Sequence, residues 1–321
     1  PFLDVPLLQY VYLNDNQIEE EFDITKFVFL ERVDISKTNI SIVGQNGALN
    51  EIITSQKIED SKLDDRKTVY LNIEKSGYSE ILGLRKQMED SIILRDDLNL
   101  YAVLDGHGGP ETAKFASIEM SKLFESKIQS NALNFDNPTQ IFLEVFQKVE
   151  DGIKKNNFQD GSTLCLALIC NNNQSGNRKI VTAHLGDARA LIAQLDGKSR
   201  ELTKDHKPSM RSEFERIHNI HGNLSKDNRV DGVLAVSRAI GDFSVYGIGR
   251  EPDLNEFDVL EDDKYLIICC DGVFDVLSND DVAKIAVNSS STNEAAFKIR
   301  NTAFGCRSSD NISVLVIDLS Q

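Results

Sequence analysis

Carboxylates stand at the ends of apolar runs along this 321-residue chain, and one of them is followed at once by a glycine and an imidazole. In Tyr101-Ala102-Val103-Leu104-Asp105-Gly106-His107-Gly108-Gly109, four apolar residues read as a buried strand that stops on Asp105. Charged oxygen at the edge of a rigid sheet is where a hard metal ion is held, and glycine lets backbone approach what is bound. Similar placements recur. Glu89 and Asp90 precede Ser91-Ile92-Ile93-Leu94, Asp187 follows His184-Leu185-Gly186, Asp271 follows Ile268-Cys269-Cys270, and Asp310 precedes Asn311 and the last apolar run. One Asp beside Gly is ordinarily a turn residue. Several brought together repel by roughly 4 kcal/mol per pair at about 4 Å and an effective dielectric of about 20, a cost that divalent cations reverse. No His/Cys cluster has zinc spacing, so an all-oxygen set points to Mg²⁺ or Mn²⁺, with Ca²⁺ open.

The elements that must position these groups are legible as alternating apolar runs and turn signals. Strands are predicted at Ser91–Arg95, Leu100–Leu104, Ser162–Cys170, Lys179–Leu185, Arg189–Leu195, Tyr265–Cys270 and Ile312–Leu319. Helices are predicted over Pro110–Gln129 and Pro138–Lys155, each with Pro near its start, and over Asn279–Val287 and Asn293–Ala303. A shorter one is predicted within the polar stretch 209–230, at Ser212–Ile217. Strands adjacent in sequence, with helices inserted in pairs, predict an α/β (α+β) fold whose sheets are largely antiparallel, with helices packed outside.

The first 50 residues carry a repeat. Leu8, Val11, Leu13, Asn16 and Ile18 fit the leucine-rich-repeat pattern, which returns 22 residues later at Leu30, Val33, Ile35, Thr38 and Ile40. Thr38 stands where Asn is expected, and a chance match of two amphipathic segments is the competing reading. Two repeats are too few to bury their apolar face alone. Residues 51–75, polar and with no further repeat discerned, read as a repeat cap or linker, and residues 76–321 as the main domain. The chain opens on Pro rather than Met and is expected to be part of something longer.

A net charge of −16 opposes nucleic acid and anionic membrane surfaces and suits a protein that collects divalent cations. The apolar runs are far too short for a membrane span. Four of the five cysteines (Cys165, Cys170, Cys269, Cys270, Cys306) lie in or beside apolar runs without CxxC spacing. They read as reduced thiols, and the expected location is intracellular, cytoplasmic with the nucleus open.

From about Tyr78 onward the chain resembles the metal-dependent protein phosphatases of type 2C. The resemblance is carried, in order, by Gly83-Leu84-Arg85-Lys86-Gln87-Met88-Glu89-Asp90, Val103-Leu104-Asp105-Gly106-His107-Gly108-Gly109, Gly161-Ser162-Thr163 and Leu185-Gly186-Asp187-Ala188-Arg189. It continues through Leu202-Thr203-Lys204-Asp205-His206-Lys207-Pro208, Leu234-Ala235-Val236-Ser237-Arg238-Ala239-Ile240-Gly241-Asp242, Cys270-Asp271-Gly272-Val273-Phe274-Asp275-Val276-Leu277 and Ser309-Asp310-Asn311-Ile312-Ser313-Val314. It implies a four-layer αββα sandwich of two antiparallel sheets flanked by helices, with two Mg²⁺ or Mn²⁺ ions at one end. By it, Asp105 bridges the ions, the Gly106 carbonyl ligates one, and Glu89, Asp271 and Asp310 complete the ligands, while Asp90 orients waters behind them. Arg85 holds phosphate and His107 protonates the leaving oxygen. Asp187 and Asp275 either hold a third metal or cap turns.

The resemblance also implies hydrolysis of phosphoserine and phosphothreonine by water activated between the two ions, without a covalent phosphoenzyme. The partners are then phosphoproteins, with a further protein partner on the repeats. The alternative is a signalling scaffold whose phosphatase-like domain is weak or inactive. His206 and Asp242 read as architecture. His184, where Asn is common in the family, departs from the pattern without touching a ligand position.

Overall fold

The computed structural model describes residues 10–12, 21–23, 32–34, 41–43, 51–54, 68–70, 75–130, 138–171 and 178–320. Packing divides the chain into two units, Pro1–Lys75 with Arg95–Asp97, and Ser76–Leu94 with Leu98–Gln321.

In the first unit, short strands Tyr10–Tyr12, Arg32–Asp34, Glu51–Thr54 and Thr68–Tyr70 pair in parallel and in sequence order. A second parallel pair joins Glu21–Asp23 to Ser41–Val43. The ladder sets Val11 opposite Val33, the spacing of the sequence repeat, and buries Val33 completely. It also runs on into 51–75, where no further repeat was expected. The strands there carry only Ile52, Ile53 and Val69 as aliphatic residues amid polar neighbours, too little to register as a pattern.

The second unit holds two antiparallel five-stranded sheets. One runs in the order Asp253–Asp258, Arg178–Leu185, Leu164–Asn171, Leu100–Leu104, Ser91–Arg95. The other runs Ser199–Glu201, Arg189–Gln194, Asp263–Cys269, Ile312–Asp318, Ser76–Ile81. Helices Glu111–Gln129 and Pro138–Asn156 cover the first sheet, and Met120, Phe124, Phe142, Val145 and Ile153 pack on Leu100, Ala102, Leu104, Leu166 and Val181. Helices Asn279–Val287 and Thr292–Gly305 cover the second in the same way, with Val282, Ala286, Ala296 and Ile299 on Ile267, Cys269, Val314 and Val316. The first of these opens on a capping box in which Ser278 and Asp281 satisfy each other's backbone.

Residues of the opposite parity, such as Tyr101, Val103, Ala167, Ile192, Ile268 and Leu315, are also fully or almost fully shielded, because the two sheets face each other. Strands covered on both sides read as continuous apolar runs, which is why they stood out. The strands that escaped the pattern sit at edges. Asp253–Asp258 (DLNEFD) is a polar edge strand, and Ser76–Ile81 (SGYSEI) is another that carries little aliphatic surface.

Register decides where the carboxylates fall. Cys165 pairs with Val103 and Leu164 with Leu185, so Thr163, Asp105 and Gly186-Asp187 leave the first sheet at one end. Cys269 pairs with both Arg189 and Val314, and Ile312 with Ile81, so Asp271, Asp310 and the 82–89 loop leave the second sheet together.

Candidate metal centre

Asp105 is pinned by its backbone. Its N–H donates to Thr163 Oγ1 at 3.1 Å, and its carbonyl accepts from Thr163 N at 2.8 Å. The next two residues, Gly106–His107, pair with Gly161–Ser162, which pairs in turn with Ile240–Gly241. This three-strand ribbon lies directly behind the site. A Cβ on Gly106 would lie 2.3 Å from the Glu89 carbonyl oxygen, so only glycine fits where the two backbones cross.

Oxygen donors of Asp90 and Asp105 and the Cys270 sulfur lie within 4.8 Å of one another, the one such group among the described residues. Sequence reasoning placed Asp90 behind the ligands and did not single out Cys270. Burial raises the thiol well above its usual range, so it stays protonated. It donates to the Asn311 carbonyl at 3.4 Å and accepts from Ser313 N at 3.2 Å, which makes it a support for the site rather than a soft ligand.

The electrostatics are those of crowded carboxylates. Burial first, then Asp90, Asp271, Asp187 and Asp310, lifts the Asp105 carboxyl well above its ordinary range. Burial pushes Asp90 up to about 7, against the hydrogen bonds from Ser313 and Cys270. Burial and the charges of Asp187, Asp275 and Asp310 push Asp271 up to about 7 as well. Asp90 Oδ1 and Asp271 Oδ1 are buried with no hydrogen-bond partner among the described residues. Orphaned carboxylate oxygen beside like charge is the arrangement a hard divalent cation satisfies, so the donor set fits Mg²⁺ or Mn²⁺.

The remaining expected ligands approach through the 82–89 loop. Asn311, itself buried, accepts from Glu89 N at 2.9 Å and donates to the carbonyls of Leu82 and Gln87, so one side chain fastens the loop to the last strand. Gly83 and Gly272 permit this, because a Cβ on either would lie about 2 Å from the backbone of Asp310 or Asn311 (1.8 and 2.1 Å). Arg85 Nη2 donates to Asp310 Oδ2 at 2.5 Å, and Gln87 Nε2 reaches Glu89 Oε1 at 3.5 Å. The expected ligand set is thus partly gathered: Asp310 is engaged by Arg85, and Glu89 touches the centre through its backbone.

His107 Nε2 meets Asp242 Oδ2 at 2.7 Å. Asp242, read from sequence as architecture, places its carboxylate against the imidazole beside Asp105. Nothing local in Ala239-Ile240-Gly241-Asp242 announces a partner 135 positions earlier. Burial pulls the His107 pKa down, but the Asp242 hydrogen bond and the charges of Asp242, Asp187 and Asp160 outweigh it, and the net shift is upward.

Asp187 is buried and takes an ion pair from Lys207 Nζ at 2.8 Å. Burial, then the nearby charges of Asp187 and Asp310, raise Asp275 despite Lys207. His206 accepts from Gly186 N at Nδ1 (3.2 Å), so Nε2 carries the proton offered to Asp253 at 3.2 Å. His184 stacks on it with centroids 4.7 Å apart, and burial with the His206 charge pushes its pKa down to about 3. Both imidazoles are buried, with His184 Nε2 also bonded to the Ala188 carbonyl at 2.8 Å. In the 209–230 region the helix is Arg211–Asn219, and its buried Glu213 binds Arg216 and Arg238 above a small core of Ile217, Val230, Val236 and Ile248.

Comparison with known proteins places the chain in a family. The family profile Protein phosphatase 2C matches residues 74–312. "Probable protein phosphatase 2C 7" of Oryza sativa subsp. japonica is 33% identical over 254 residues, covering 75% of this chain, and the chain spans 64% of that relative's length. A solved phosphatase from a pathogenic strain of Toxoplasma gondii superposes with TM-score 0.67 at 22% identity, over 78% of this chain and 96% of that one. The catalytic domain of the serine threonine protein phosphatase PstP, solved in complex with two manganese ions, gives TM-score 0.56 at 18% identity, over 76% of this chain and 97% of its own.

Proposed function

This chain belongs to the protein phosphatase 2C family, and from that premise we propose that it hydrolyses phosphoserine and phosphothreonine in proteins with Mg²⁺ or Mn²⁺. The observation that carries the reading is the convergence of Asp90, Asp105 and Asp271 at one end of the two sheets, with two carboxylate oxygens buried and unpartnered among the described residues. Asp105, the Gly106 carbonyl, Glu89, Asp271 and Asp310 would hold two ions, and Asp90, fixed by Ser313 Oγ at 2.6 Å, would orient their water shell. Bound there, the ions supply Lewis-acid activation of water and neutralise charge on the phosphoryl oxygens.

Arg85 presents a planar fork on an exposed loop, suited to two phosphate oxygens. His107 holds the proton that the departing serine or threonine oxygen requires. Lys207 already supplies a positive charge to Asp187, which favours structural use of Asp187 over a third cation. The deciding experiment measures phosphate release from a phosphothreonine peptide with Mn²⁺ against an Asp105→Asn control. Equal release by both would end this reading and favour a silent scaffold.

We further infer that the first unit is a short leucine-rich-repeat solenoid offering a surface to a protein partner. The parallel ladder, its sequence order and the Val11–Val33 register support this. Retained peptide hydrolysis with lost recruitment of a cellular phosphoprotein, after removal of residues 1–74, is the expected signature.

A further inference from the structure

We propose that Asp242 is a positioning residue for the reaction, holding the His107 ring through Nε2 so that Nδ1 is the nitrogen that serves the leaving oxygen. The inference rests on the phosphatase reading for its chemistry, and on separate observations for its geometry.

The Asp242 carboxylate meets His107 Nε2 at 2.7 Å and is almost wholly buried. It reaches the imidazole by lying across Gly161, where a Cβ would sit 2.0 Å from its Oδ2. The absence of a side chain at residue 161 is therefore a condition of the contact. The backbone at Asp242 is left-handed, with φ of 50°, a conformation that Asp tolerates better than most residues but that still costs free energy.

Several contacts keep it there. Asp242 N donates to the Asp160 carbonyl, Arg250 Nη2 donates to the Asp242 carbonyl at 3.0 Å, and Arg250 Nε donates to the Gly241 carbonyl at 3.1 Å. Gly241 N donates to the buried Glu150 Oε1 at 3.0 Å. A turn that served only to reverse the chain would not need a carboxylate aimed at a ring on another strand.

The other ring nitrogen, Nδ1, has no hydrogen bond to the described residues. With Nε2–H donated to Asp242, a proton delivered from this imidazole leaves through Nδ1. A carboxylate behind an imidazole fixes ring orientation and steadies the cation formed when the ring is charged.

The test separates positioning from mere packing. A threonine alkoxide needs a proton as it leaves, whereas the phenolate of p-nitrophenyl phosphate does not. In Asp242→Ala, kcat on a phosphothreonine peptide is expected to fall at least about tenfold, with kcat on the aryl phosphate changing less than about threefold and KM for both held. Asp242→Asn keeps the size and suits the left-handed backbone, so it provides a folded variant if the alanine form fails, with the same selective loss expected. The second readout needs neither metal nor turnover: a hydrogen-bonded, slowly exchanging Nε2–H proton of His107 in NMR spectra of the metal-free chain, assigned by its loss in His107→Gln and absent in Asp242→Ala.

Equal losses on both substrates, or persistence of that proton resonance in Asp242→Ala, would overturn the proposal. If the wild-type chain hydrolyses neither substrate, the phosphatase reading fails, while the proton resonance still decides whether Asp242 holds the ring.

Discussion

The guanidinium of Arg85 and the carboxylate of Asp310, 225 positions apart in sequence, meet at 2.5 Å. The residue suited to phosphate is thus tethered to a residue suited to metal. Were a cation to engage Asp310, the fork of Arg85 would be free for a phosphoryl group.

Arg85→Ala is accordingly expected to weaken inhibition by inorganic phosphate and raise KM for a phosphopeptide roughly 10- to 100-fold, with Arg85→Lys between. The pair is half exposed, so melting temperature should hardly move. A large drop in thermal stability with unchanged KM would make the pair structural.

Asp105→Asn removes an oxygen donor from the most crowded point of the centre. It is expected to abolish tight Mn²⁺ binding by calorimetry and, at alkaline pH, where the native carboxyl is driven to ionise among its neighbours, to raise the melting temperature of the metal-free chain by a few degrees, about the response to roughly 1 kcal/mol. Unchanged Mn²⁺ affinity would remove Asp105 from the ligand set.

Stability in chelator should depend on pH in an uncommon direction. Asp90 and Asp271 each rise from 3.8 to about 7 on folding. Between these values the folded chain keeps protons that the unfolded chain releases, so this contribution favours folding on the acid side and is lost as pH rises through 7. Without metal the melting temperature should be higher at about pH 5.5 than at about pH 8. Mn²⁺ should stabilise more at the higher pH, because its ligands must be deprotonated. A flat profile in chelator would mean that the two carboxyls are not packed as described.

Arg238→Ala strips the buried Glu213 of one of its two guanidinium partners. Burial raises the Glu213 pKa, but Arg238 and Arg216 outweigh it and bring it down to about 2, so the stabilisation exists above its unfolded range near 4.5 and disappears as pH falls through 2. The substitution is expected to cost about 3 kcal/mol at neutral pH, read by urea denaturation. A cost under about 0.5 kcal/mol would show the network to be solvent-screened.

Truncation distinguishes the units. A chain starting at Lys75 keeps the edge strand Ser76–Ile81 and its pairing with Ile312–Ile317, and should melt cooperatively. One starting at Gly83 loses that strand and uncovers the last one, and should melt several degrees lower.

Much of this was legible in sequence, for identifiable reasons. Leu100–Leu104 and Ile312–Asp318 are covered on both faces, so their residues are apolar without interruption and their ends, Asp105 and Asp310, are conspicuous. Asp253–Asp258 has one neighbour strand among the described residues and carries Leu254 and Phe257 three apart amid polar residues, so no strand period marked it. Contacts of long sequence separation were least visible. Asp242 on His107, Asn311 beneath the 82–89 loop and Cys270 within the acidic cluster all depend on which strand ends fall side by side. That is a property of register, and no single motif carries it.

The ribbon formed by Gly106–His107, Gly161–Ser162 and Ile240–Gly241 joins three chain segments that lie far apart in sequence. It ties the carbonyl of Gly106, the imidazole of His107 and the carboxylate of Asp242 to one stiff plate. Substitutions at these positions should therefore be strongly epistatic: once one is lost, losing a second adds little. A mutational scan would find them inherited as a block, and design of altered specificity can leave that block whole while varying the 209–230 region.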